Sequence, residues 1–368
     1  MASRFQRFLL PGFAFKAVVI GGGYATGREL AEFFLGSGPL AGALGMLVSM
    51  VCWSVLCAST FLFAQVTGSH DFGTFFRTLL GRAAPLFDFA YTCFLLIALS
   101  VFGAAAGELG HAVLHWPVWA GTVLLVSSIA AVVTFGNRSV EALFRYVTYF
   151  LYAVYVALFV LCLFKFPAAI TRAFAGSVVG GSWWLGGMTY AGYNVIGAVA
   201  ILPVLRHSQS RRDAVIAGTL AGVLGMLPAL LFFVCMSAFY PGIAAATLPA
   251  DYLLQRLDAP VFHLLFQCMI FAALLESGVG IVHGANERIA AVLNSRGVAL
   301  SRGHRLVIGV VLLVVSVWIA GQFGLVALVA RGYRLLAVMI FLIYVVPILT
   351  VGLWRIAHAR QQPSSAVA

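Results

Sequence analysis

Charged side chains are scarce in this sequence, and their scarcity excludes an ordinary soluble domain. Asp, Glu, Lys and Arg together make up 9% of the 368 residues, whereas soluble domains carry about 25%. The 22 basic residues stand singly or in small groups between apolar runs, so they form no continuous basic face. We therefore expect no nucleic-acid partner, despite a formal net charge of +11.

The sequence also lacks the short motifs of several enzyme classes. It contains no GxxxxGK[ST] phosphate-binding loop, no HExxH and no GxSxG. Its six cysteines lie inside apolar stretches and form no CxxC pair, which argues against a disulfide framework or a zinc site. We expect no enzyme activity, no catalytic residues, no metal site and no cofactor beyond a coupling ion.

What the sequence does contain is apolar along nearly its whole length. Hydrophobic residues make up 62% of it, and the mean hydropathy is +1.04. A helix of about 20 apolar residues crosses the hydrocarbon core of a bilayer. Windows of that length predict one all-α transmembrane domain over residues 1–368, with ten spans near 12–35, 39–66, 84–113, 117–135, 143–166, 177–205, 214–240, 260–286, 305–321 and 334–354.

The basic residues are distributed unevenly between the two sides of these spans. An even number of spans places both termini on one side, and sixteen of the 22 Lys and Arg residues fall there. The positive-inside rule assigns that side to the cytoplasm. No small-residue cleavage site follows the first apolar run, so we expect no cleaved signal. We predict a multi-pass protein of the cell (inner) membrane with cytoplasmic termini and leave its oligomeric state open.

Two glycine clusters stand out among the 38 glycines. Residues 21–27 and 186–192 both read GGxxxxG, lie about half the chain apart, and fall near the middle of spans 1 and 6. Glycine interruptions at corresponding places in two halves are typical of inverted-repeat transporters with broken helices. Because five is odd, the second five-helix half is inverted relative to the first. We place the two repeats at approximately 12–166 and 177–354.

A break in a membrane helix has a chemical consequence. The freed N–H and C=O groups cannot be satisfied by lipid, so such a break survives where it lines a cavity or meets a ligand. Freed amides favour anions and freed carbonyls favour cations, an arrangement that suits an amino-acid-like zwitterion. Close helix packing is the alternative explanation for both clusters.

Three runs of residues carry a family resemblance that covers almost the whole chain. They are Gly21–Glu29 followed by Glu32-Phe33-Phe34, then Tyr190–Asn194 followed by Leu202–Leu205, and finally Glu276–Gly280 with His283 and Asn286–Ile289. These runs resemble the first, sixth and eighth helices of the YkvI-type membrane proteins. That family is similar to the amino acid–polyamine–organocation superfamily of LeuT-like fold, and its members are usually described as amino acid permeases.

The resemblance implies a specific architecture and mechanism. It implies a five-plus-five inverted repeat with helices 1 and 6 broken, and a substrate held between helices 1, 3, 6 and 8. It also implies possible ion coupling where helices 1 and 8 meet. Sodium-coupled proteins of this fold commonly carry small hydroxyl residues on helix 8, whereas here Ser277 follows Glu276. This difference favours a proton as the coupling ion without excluding sodium.

The candidate substrate-binding residues follow the two clusters. They are Gly22, Gly23, Tyr24, Thr26, Gly27 and Arg28 on helix 1, and Gly187, Tyr190, Tyr193 and Asn194 on helix 6. Arg28 suits a substrate carboxylate with bidentate geometry, and Glu29 suits the amine. Alternatively, Arg28 pairs with Glu32 four residues later, and the aromatic residues simply pack.

Ionisable residues at membrane depth are functional candidates because each costs at least about 2.5–3.5 kcal/mol to insert. Glu276, with Ser277, is the foremost candidate for ion coupling, and Glu29 is another. The alternative role of Glu276 is structural, through hydrogen bonds to helix 1 or a pair with Arg28.

These observations favour secondary active transport of a small solute, an amino acid or a related compound, by alternating access coupled to a proton or sodium gradient. A sensor or channel on a transporter scaffold is the alternative. An intramembrane enzyme using Glu108 with His111, or Glu276 with His283, is a weaker one. Glu108, His111 and His115 share a helical spacing, but a metal site would need matching ligands from other helices.

Overall fold

The computed structural model describes residues 3–135, 137–294 and 301–359, and this part of the chain is helical with no β-strand. Its α-helices are α1 Leu10–Val19, α2 Gly22–Ala25, α3 Arg28–Phe33, α4 Pro39–Thr67, α5 Phe72–Leu80, α6 Ala84–Leu114, α7 Val118–Phe135, α8 Asn137–Lys165, α9 Pro167–Ala175, α10 Trp183–Asn194, α11 Ile196–Ala200, α12 Arg211–Ser237, α13 Pro249–Leu257, α14 Pro260–Asn294, α15 Arg302–Ala327, α16 Tyr333–Ile340 and α17 Leu353–His358. Short π-helical and 3-10 segments join several of them.

Several of these helices have the length and composition of membrane spans. Five stretches qualify directly, namely Pro39–Thr67, Phe72–Leu114, Arg211–Ser237, Pro260–Ala290 and Gly303–His358. Each predicted span coincides with one of these stretches, with the shorter α7, with α8, or with a broken helix. A multi-pass membrane protein is thereby confirmed, while the number of crossings, the repeat boundaries and the cytoplasmic termini stay predictions.

The first span is broken where the sequence predicts a break. The α1 helix ends at Val19, and Ile20 leaves the helical region with ψ of 78°. After the single turn of α2, Gly27 adopts φ of 77°, a left-handed conformation that favours glycine. The second half of the span, α3, then begins at Arg28.

The second cluster does not break its helix, so the prediction of an interruption at residues 186–192 is wrong. The α10 helix runs without a break from Trp183 to Asn194. A Cβ atom on Gly186 would collide with the Phe33 carbonyl oxygen, and one on Gly187 with the Gly45 carbonyl oxygen. These glycines therefore allow close packing against α3 and α4. The sixth span is interrupted only afterwards, at the turn between α10 and α11 and again beyond Ala200.

Close packing of α4 against α12 and α10 forms the centre of the molecule. Gly218 and Gly222 of α12 lie against Ala58 and Ser54 of α4, at distances that leave no room for a side chain. The same helix α4 contacts α10 at Gly187. This arrangement brings the broken first span beside α10 and α11.

The last part of the chain is a long helical stretch with one kink. At Gly324 the backbone has φ of 70° and ψ of 170°, although helix continues on both sides. Such a conformation is accessible to glycine and strained for other residues. The segment beyond the kink includes α16, which packs against α10.

Candidate functional site

A buried carboxylate lies at the broken first span. Glu29, in the first turn of α3, is 4% exposed. The hydroxyl of Tyr193, on α10, donates a hydrogen bond of 2.7 Å to Glu29 Oε2. Glu29 and Tyr193 thus connect the two spans that the sequence marks as functional.

The glycine cluster provides the space for this carboxylate. Glu29 Oε1 occupies the position that a Cβ atom on residue 23 would need, so any side chain at Gly23 would displace it. The Thr26 hydroxyl donates to the Gly23 carbonyl oxygen at 3.0 Å, which holds the interrupted backbone in shape. The candidate residues Gly23, Thr26 and Gly27 therefore form the broken backbone beside Glu29, the candidate pocket of the following paragraphs, and Gly22 contributes backbone to α2.

Buried tyrosines surround Glu29 and lie within electrostatic range of it. They are Tyr24, Tyr155, Tyr190, Tyr193 and Tyr333. The Tyr193 ring stacks on Tyr333 with 4.4 Å between centroids, and Tyr190 meets Tyr193 edge to face at 5.7 Å. Tyr24 lies 5.8 Å from Tyr155. These rings come from four different elements of the fold, since Tyr190 and Tyr193 both lie on α10.

Three of the hydroxyl groups are buried without a hydrogen-bond partner in the described part of the chain. They belong to Tyr24, Tyr155 and Tyr190. A buried hydroxyl left unpaired costs about 1–3 kcal/mol, so a folded protein seldom keeps several together without use for them. These three hydroxyl groups can therefore each bond a polar partner.

Arg28 does not contribute to this pocket. Its guanidinium donates to the carbonyl oxygens of Ala244 and Ala246, at 3.3 and 2.8 Å, and to Glu32 at 3.2 Å. Glu32 also accepts a bond from Arg334. The alternative interpretation, in which Arg28 pairs with Glu32, is therefore confirmed, and a substrate carboxylate would find Arg28 already engaged.

The connection between α12 and α13 covers the break on the side where α3 begins. Besides the two carbonyl groups that bind Arg28, the Ala250 amide donates to the Thr26 carbonyl oxygen at 2.9 Å. Gly27 lies directly beneath Pro249, the first residue of α13. Access to Glu29 from this side requires these contacts to separate.

Two candidates on the sixth span lie outside the pocket or at its edge. Gly187 packs against α4, and its carbonyl oxygen accepts a 2.7 Å bond from Ser49. The Asn194 amide donates to the Tyr190 carbonyl oxygen at 3.1 Å, where α10 ends. Asn194 thus supports the end of the helix that carries Tyr190.

A second cluster of charge lies where the first span meets α14. The position of a Cβ on Gly21 is 3.7 Å from Ser277 Oγ, so Ser277 faces the start of the break. Glu276 is partly buried and interacts electrostatically with Lys16. Lys16 is 3% exposed, and its Nζ lies 3.2 Å from the centre of the Tyr152 ring.

Sequence reasoning missed Lys16 as well as Tyr155 and Tyr333. Lys16 is one of the sixteen basic residues assigned to the side of the termini, yet its place inside the predicted span 12–35 is a usable signal. Nothing in the sequence pattern distinguishes Tyr155 or Tyr333 from the other aromatic residues, because they join the pocket from distant parts of the chain.

The residues considered for a metal site are placed at the outer end of α6. Glu108 and His111 line a cavity of about 210 Å³ together with Asp251. His111 Nδ1 lies 3.0 Å from the Trp116 carbonyl oxygen, and His115 ends the helix in a left-handed conformation. Within the described ranges, no three His, Cys, Asp or Glu side chains are grouped so that they could hold a metal ion.

Comparison of the sequence with known proteins identifies one clear relative. No family model matches the chain. It is 24% identical over 289 residues to the uncharacterized membrane protein YkvI of Bacillus subtilis (strain 168), a match that covers 76% of this chain and 80% of YkvI. The resemblance to YkvI-type proteins is confirmed by this similarity.

Comparison of structures identifies the fold. MhsT, solved in complex with L-phenylalanine, has a TM-score of 0.64 at 13% identity and covers 98% of both chains. A Na+-coupled sialic acid symporter has a TM-score of 0.60 at 14% identity, covering 95% of this chain and 82% of its own. Mhp1, a nucleobase-cation-symport-1 family transporter, has a TM-score of 0.58 at 15% identity, and the match covers 95% of this chain and 79% of Mhp1. The LeuT-like fold is confirmed, and the two neighbours described as a symporter and a transporter are not enzymes.

Proposed function

We propose that the protein is a secondary active transporter of a small solute, an amino acid or a related compound, that carries an amino group. The observation that carries this proposal is the hydrogen bond from Tyr193 to Glu29 across the broken first span. The first span supplies a buried carboxylate, and three buried tyrosines that interact with it electrostatically, from α2, α8 and α10, have unpaired hydroxyl groups. Transporters of the same fold bind L-phenylalanine, sialic acid or a hydantoin, as their structures are described.

Contacts on both sides of the pocket suit an alternating-access mechanism. On the outer side, Arg28 and Thr26 hold the connection between α12 and α13. On the other side, Arg7 makes a bidentate pair with Asp213, at 2.8 and 2.7 Å, that fastens the start of the chain to α12. Arg–carboxylate pairs of this geometry are among the strong polar contacts of proteins. Opening the pocket to one side separates the contacts of Arg28 and Thr26 and keeps the Arg7–Asp213 pair. Opening it to the other side separates that pair and keeps those contacts.

For coupling, we propose the junction of the first span with α14. The partly buried Glu276 carboxylate and the Lys16 ammonium group interact there, beside Ser277. The ammonium group takes the place beside the carboxylate that a sodium ion would need, whereas a proton can be carried by either side chain of the pair. The pair therefore favours a proton over sodium as the coupling ion.

The test is uptake into proteoliposomes that contain the purified protein. A panel of labelled amino acids and amines is offered under an imposed proton gradient, a sodium gradient or neither. Saturable accumulation that depends on one gradient supports the proposal. Conductance without saturation would identify a channel instead, and the absence of both in folded protein would favour a sensor.

The coupling assignment has its own variant. We expect Glu276→Gln to abolish gradient-driven accumulation while exchange of internal for external solute continues, because the amide cannot ionise. Glu108→Gln, at the outer end of α6, is the matched control and should accumulate solute normally. Normal accumulation by Glu276→Gln would remove Glu276 from the coupling mechanism.

A further inference from the structure

A groove between α10 and α16 takes no part in the pocket around Glu29. Its volume is about 560 Å³, and a Cβ atom on Gly192, which lines it, would lie 3.4 Å from that of Ala337. Its apolar side chains are each at least 42% exposed, namely Trp184, Leu185, Met188, Val338, Phe341 and Leu342. The α16 helix belongs to the apolar stretch Gly303–His358, which is long enough to cross a membrane. The groove therefore faces lipid.

One end of the groove carries charge. Glu32 lines the groove and accepts hydrogen bonds from Arg334 at 2.9 Å and from Arg28 at 3.2 Å. No other acidic side chain lines the groove in the described part of the chain. Arg331, three residues before Arg334, is also exposed. Because guanidinium groups outnumber carboxylates here, this end of the groove attracts an anion.

Apolar residues continue from the charged end. Val338 and Leu342 follow Arg334 by one and two helical turns, a rise of about 12 Å. On α10, Trp184 lies near the start of the helix and Met188 one turn later. Tryptophan is enriched at the level of the lipid headgroups in membrane proteins. The groove is thus polar at one end and apolar beyond it, as a phospholipid is.

We propose that the groove between α10 and α16 binds a membrane phospholipid with an anionic headgroup. The phosphate group accepts hydrogen bonds from the Arg334 guanidinium, whose side chain is 61% exposed. One acyl chain lies along Met188, Val338 and Leu342. Guanidinium groups bind phosphate with bidentate geometry, and basic pockets between transmembrane helices bind lipid headgroups.

The bound lipid connects two helices of the pocket wall. It contacts α10 and α16, whose Tyr193 and Tyr333 rings stack with 4.4 Å between centroids. A ligand that binds the folded arrangement and not the unfolded chain raises the stability of the protein. The lipid therefore stabilises the packing of α10 on α16, whichever solute the protein carries.

A second copy of the chain is the other occupant that an apolar groove could accept. In a symmetric dimer built on this groove, the same patch of both copies meets itself. Arg331 and Arg334 of one copy would then approach the same residues of the other, and like charges repel. The charged end thus favours an anionic lipid over self-association.

The experiment measures lipid binding to the delipidated, detergent-solubilised protein by native mass spectrometry. Dioleoyl phosphatidylglycerol is compared with dioleoyl phosphatidylcholine, which has the same acyl chains and no net charge. We expect the first phosphatidylglycerol molecule to bind at least tenfold more tightly than phosphatidylcholine and to raise the thermal unfolding midpoint. Equal affinity for the two lipids would overturn the proposal, as would the absence of saturable phosphatidylglycerol binding to folded protein.

Inorganic phosphate and glycerol phosphate test whether the acyl chains are needed. Both carry the anion without the apolar part, so we expect neither to displace phosphatidylglycerol even in large molar excess. Displacement of the lipid by an equimolar amount of inorganic phosphate would identify a simple anion site and contradict the proposal.

Two variants test the two ends of the groove. Arg334→Gln removes the phosphate ligand, and we expect its affinity for phosphatidylglycerol to fall to that for phosphatidylcholine. Val338→Trp fills the apolar part, and we expect it to weaken the binding of both lipids at least fivefold. The matched controls are Arg172→Gln on α9 and Val314→Trp on α15, both exposed and outside the groove. Both controls should bind phosphatidylglycerol as the wild type does.

The unfolding midpoint of each variant shows whether the protein is folded. If Arg334→Gln does not fold, Val338→Trp and Leu342→Trp provide the test. Unchanged phosphatidylglycerol binding in both folded tryptophan variants would overturn the proposal. A wild-type dimer that becomes monomeric in Val338→Trp, while lipid binding stays the same, would assign the groove to a second copy and equally contradict it.

Discussion

The two glycine clusters have the same spacing and opposite effects on their helices. In residues 21–27, the chain leaves the helix at Ile20, makes one turn and re-enters it after Gly27. In residues 186–192, the helix continues unchanged, and its glycines contact the carbonyl oxygens of Phe33 and Gly45. The two clusters differ in their neighbours. Gly23 of the first cluster lies against the side chain of Glu29, whereas Gly186 and Gly187 of the second lie against the backbone of α3 and α4.

That difference predicts what a side chain would do at each place. A flexible carboxylate can be displaced, so an added methyl group in the first cluster disturbs the site and spares the fold. A packed backbone cannot yield in the same way, so a methyl group in the second cluster disturbs the fold itself. The following predictions test this distinction, from the largest expected effect to the smallest.

We expect Gly187→Ala to have the largest effect. The new Cβ atom would collide with the Gly45 carbonyl oxygen, and α10 would have to separate from α4. Overpacking of this kind costs about 1–3 kcal/mol and occasionally more. The measurement is the thermal unfolding midpoint in detergent, and we expect a large decrease or no folded protein. Gly321→Ala, where nothing lies within 4 Å of the new atom, is the control and should unfold at the wild-type midpoint.

We expect Gly23→Ala to remove function without unfolding the protein. The methyl group would take the place of Glu29 Oε1, so the carboxylate would lose its position in the pocket. Solute binding should fall by more than tenfold, while the unfolding midpoint falls no further than it does in Tyr193→Phe, which loses the same hydrogen bond to Glu29. If Gly23→Ala and Gly187→Ala were equally destabilising, the distinction between the two clusters would be wrong.

The tyrosine hydroxyl groups provide a subtler comparison. Tyr193→Phe removes the donor to Glu29, and an intramolecular hydrogen bond contributes about 0.5–1.5 kcal/mol. Tyr190→Phe removes a hydroxyl that is buried and unpaired. Without solute, we expect the first variant to unfold at a lower temperature and the second to match or exceed the wild type. A decrease for Tyr190→Phe equal to that of Tyr193→Phe would show that its hydroxyl has a partner.

We expect the smallest effect from Arg334→Gln. Its side chain is 61% exposed, and its bond to Glu32 at 2.9 Å resembles the surface pairs that contribute about 0.2–1 kcal/mol. Arg28→Gln should be clearly more destabilising, because it also removes the bonds to Ala244 and Ala246. Unfolding midpoints of the two variants, measured in one buffer, test this order.

The apolar pattern of the sequence was sufficient to predict where the membrane helices lie. The predicted span at 39–66 corresponds to the helix α4, Pro39–Thr67. The predicted span at 84–113 corresponds to α6, Ala84–Leu114. Hydropathy succeeds here because burial in lipid depends on local composition alone. The break in the first span was also predictable, since Gly27 and the charged residues after it mark a place where a helix is costly.

The rest depends on partners that are distant in the chain. Gly187 allows close helix packing rather than a helix break because it lies against Gly45, more than a hundred residues earlier in the chain. Arg28 binds the protein rather than a substrate because its guanidinium donates to the carbonyl oxygens of Ala244 and Ala246. Local sequence patterns do not reveal contacts between distant residues. The sequence therefore predicted which residues are important, such as Gly187 and Arg28, more readily than what each of them does.

The kink at Gly324 has a mechanical consequence. Because the helical hydrogen-bond ladder is interrupted there, the tilt of α16 is not dictated by the preceding part of α15. Tyr333, at the start of α16, instead stacks on Tyr193 of α10. The direction of the final segment is therefore set by its packing against α10, α6 and α4 rather than by the end of α15.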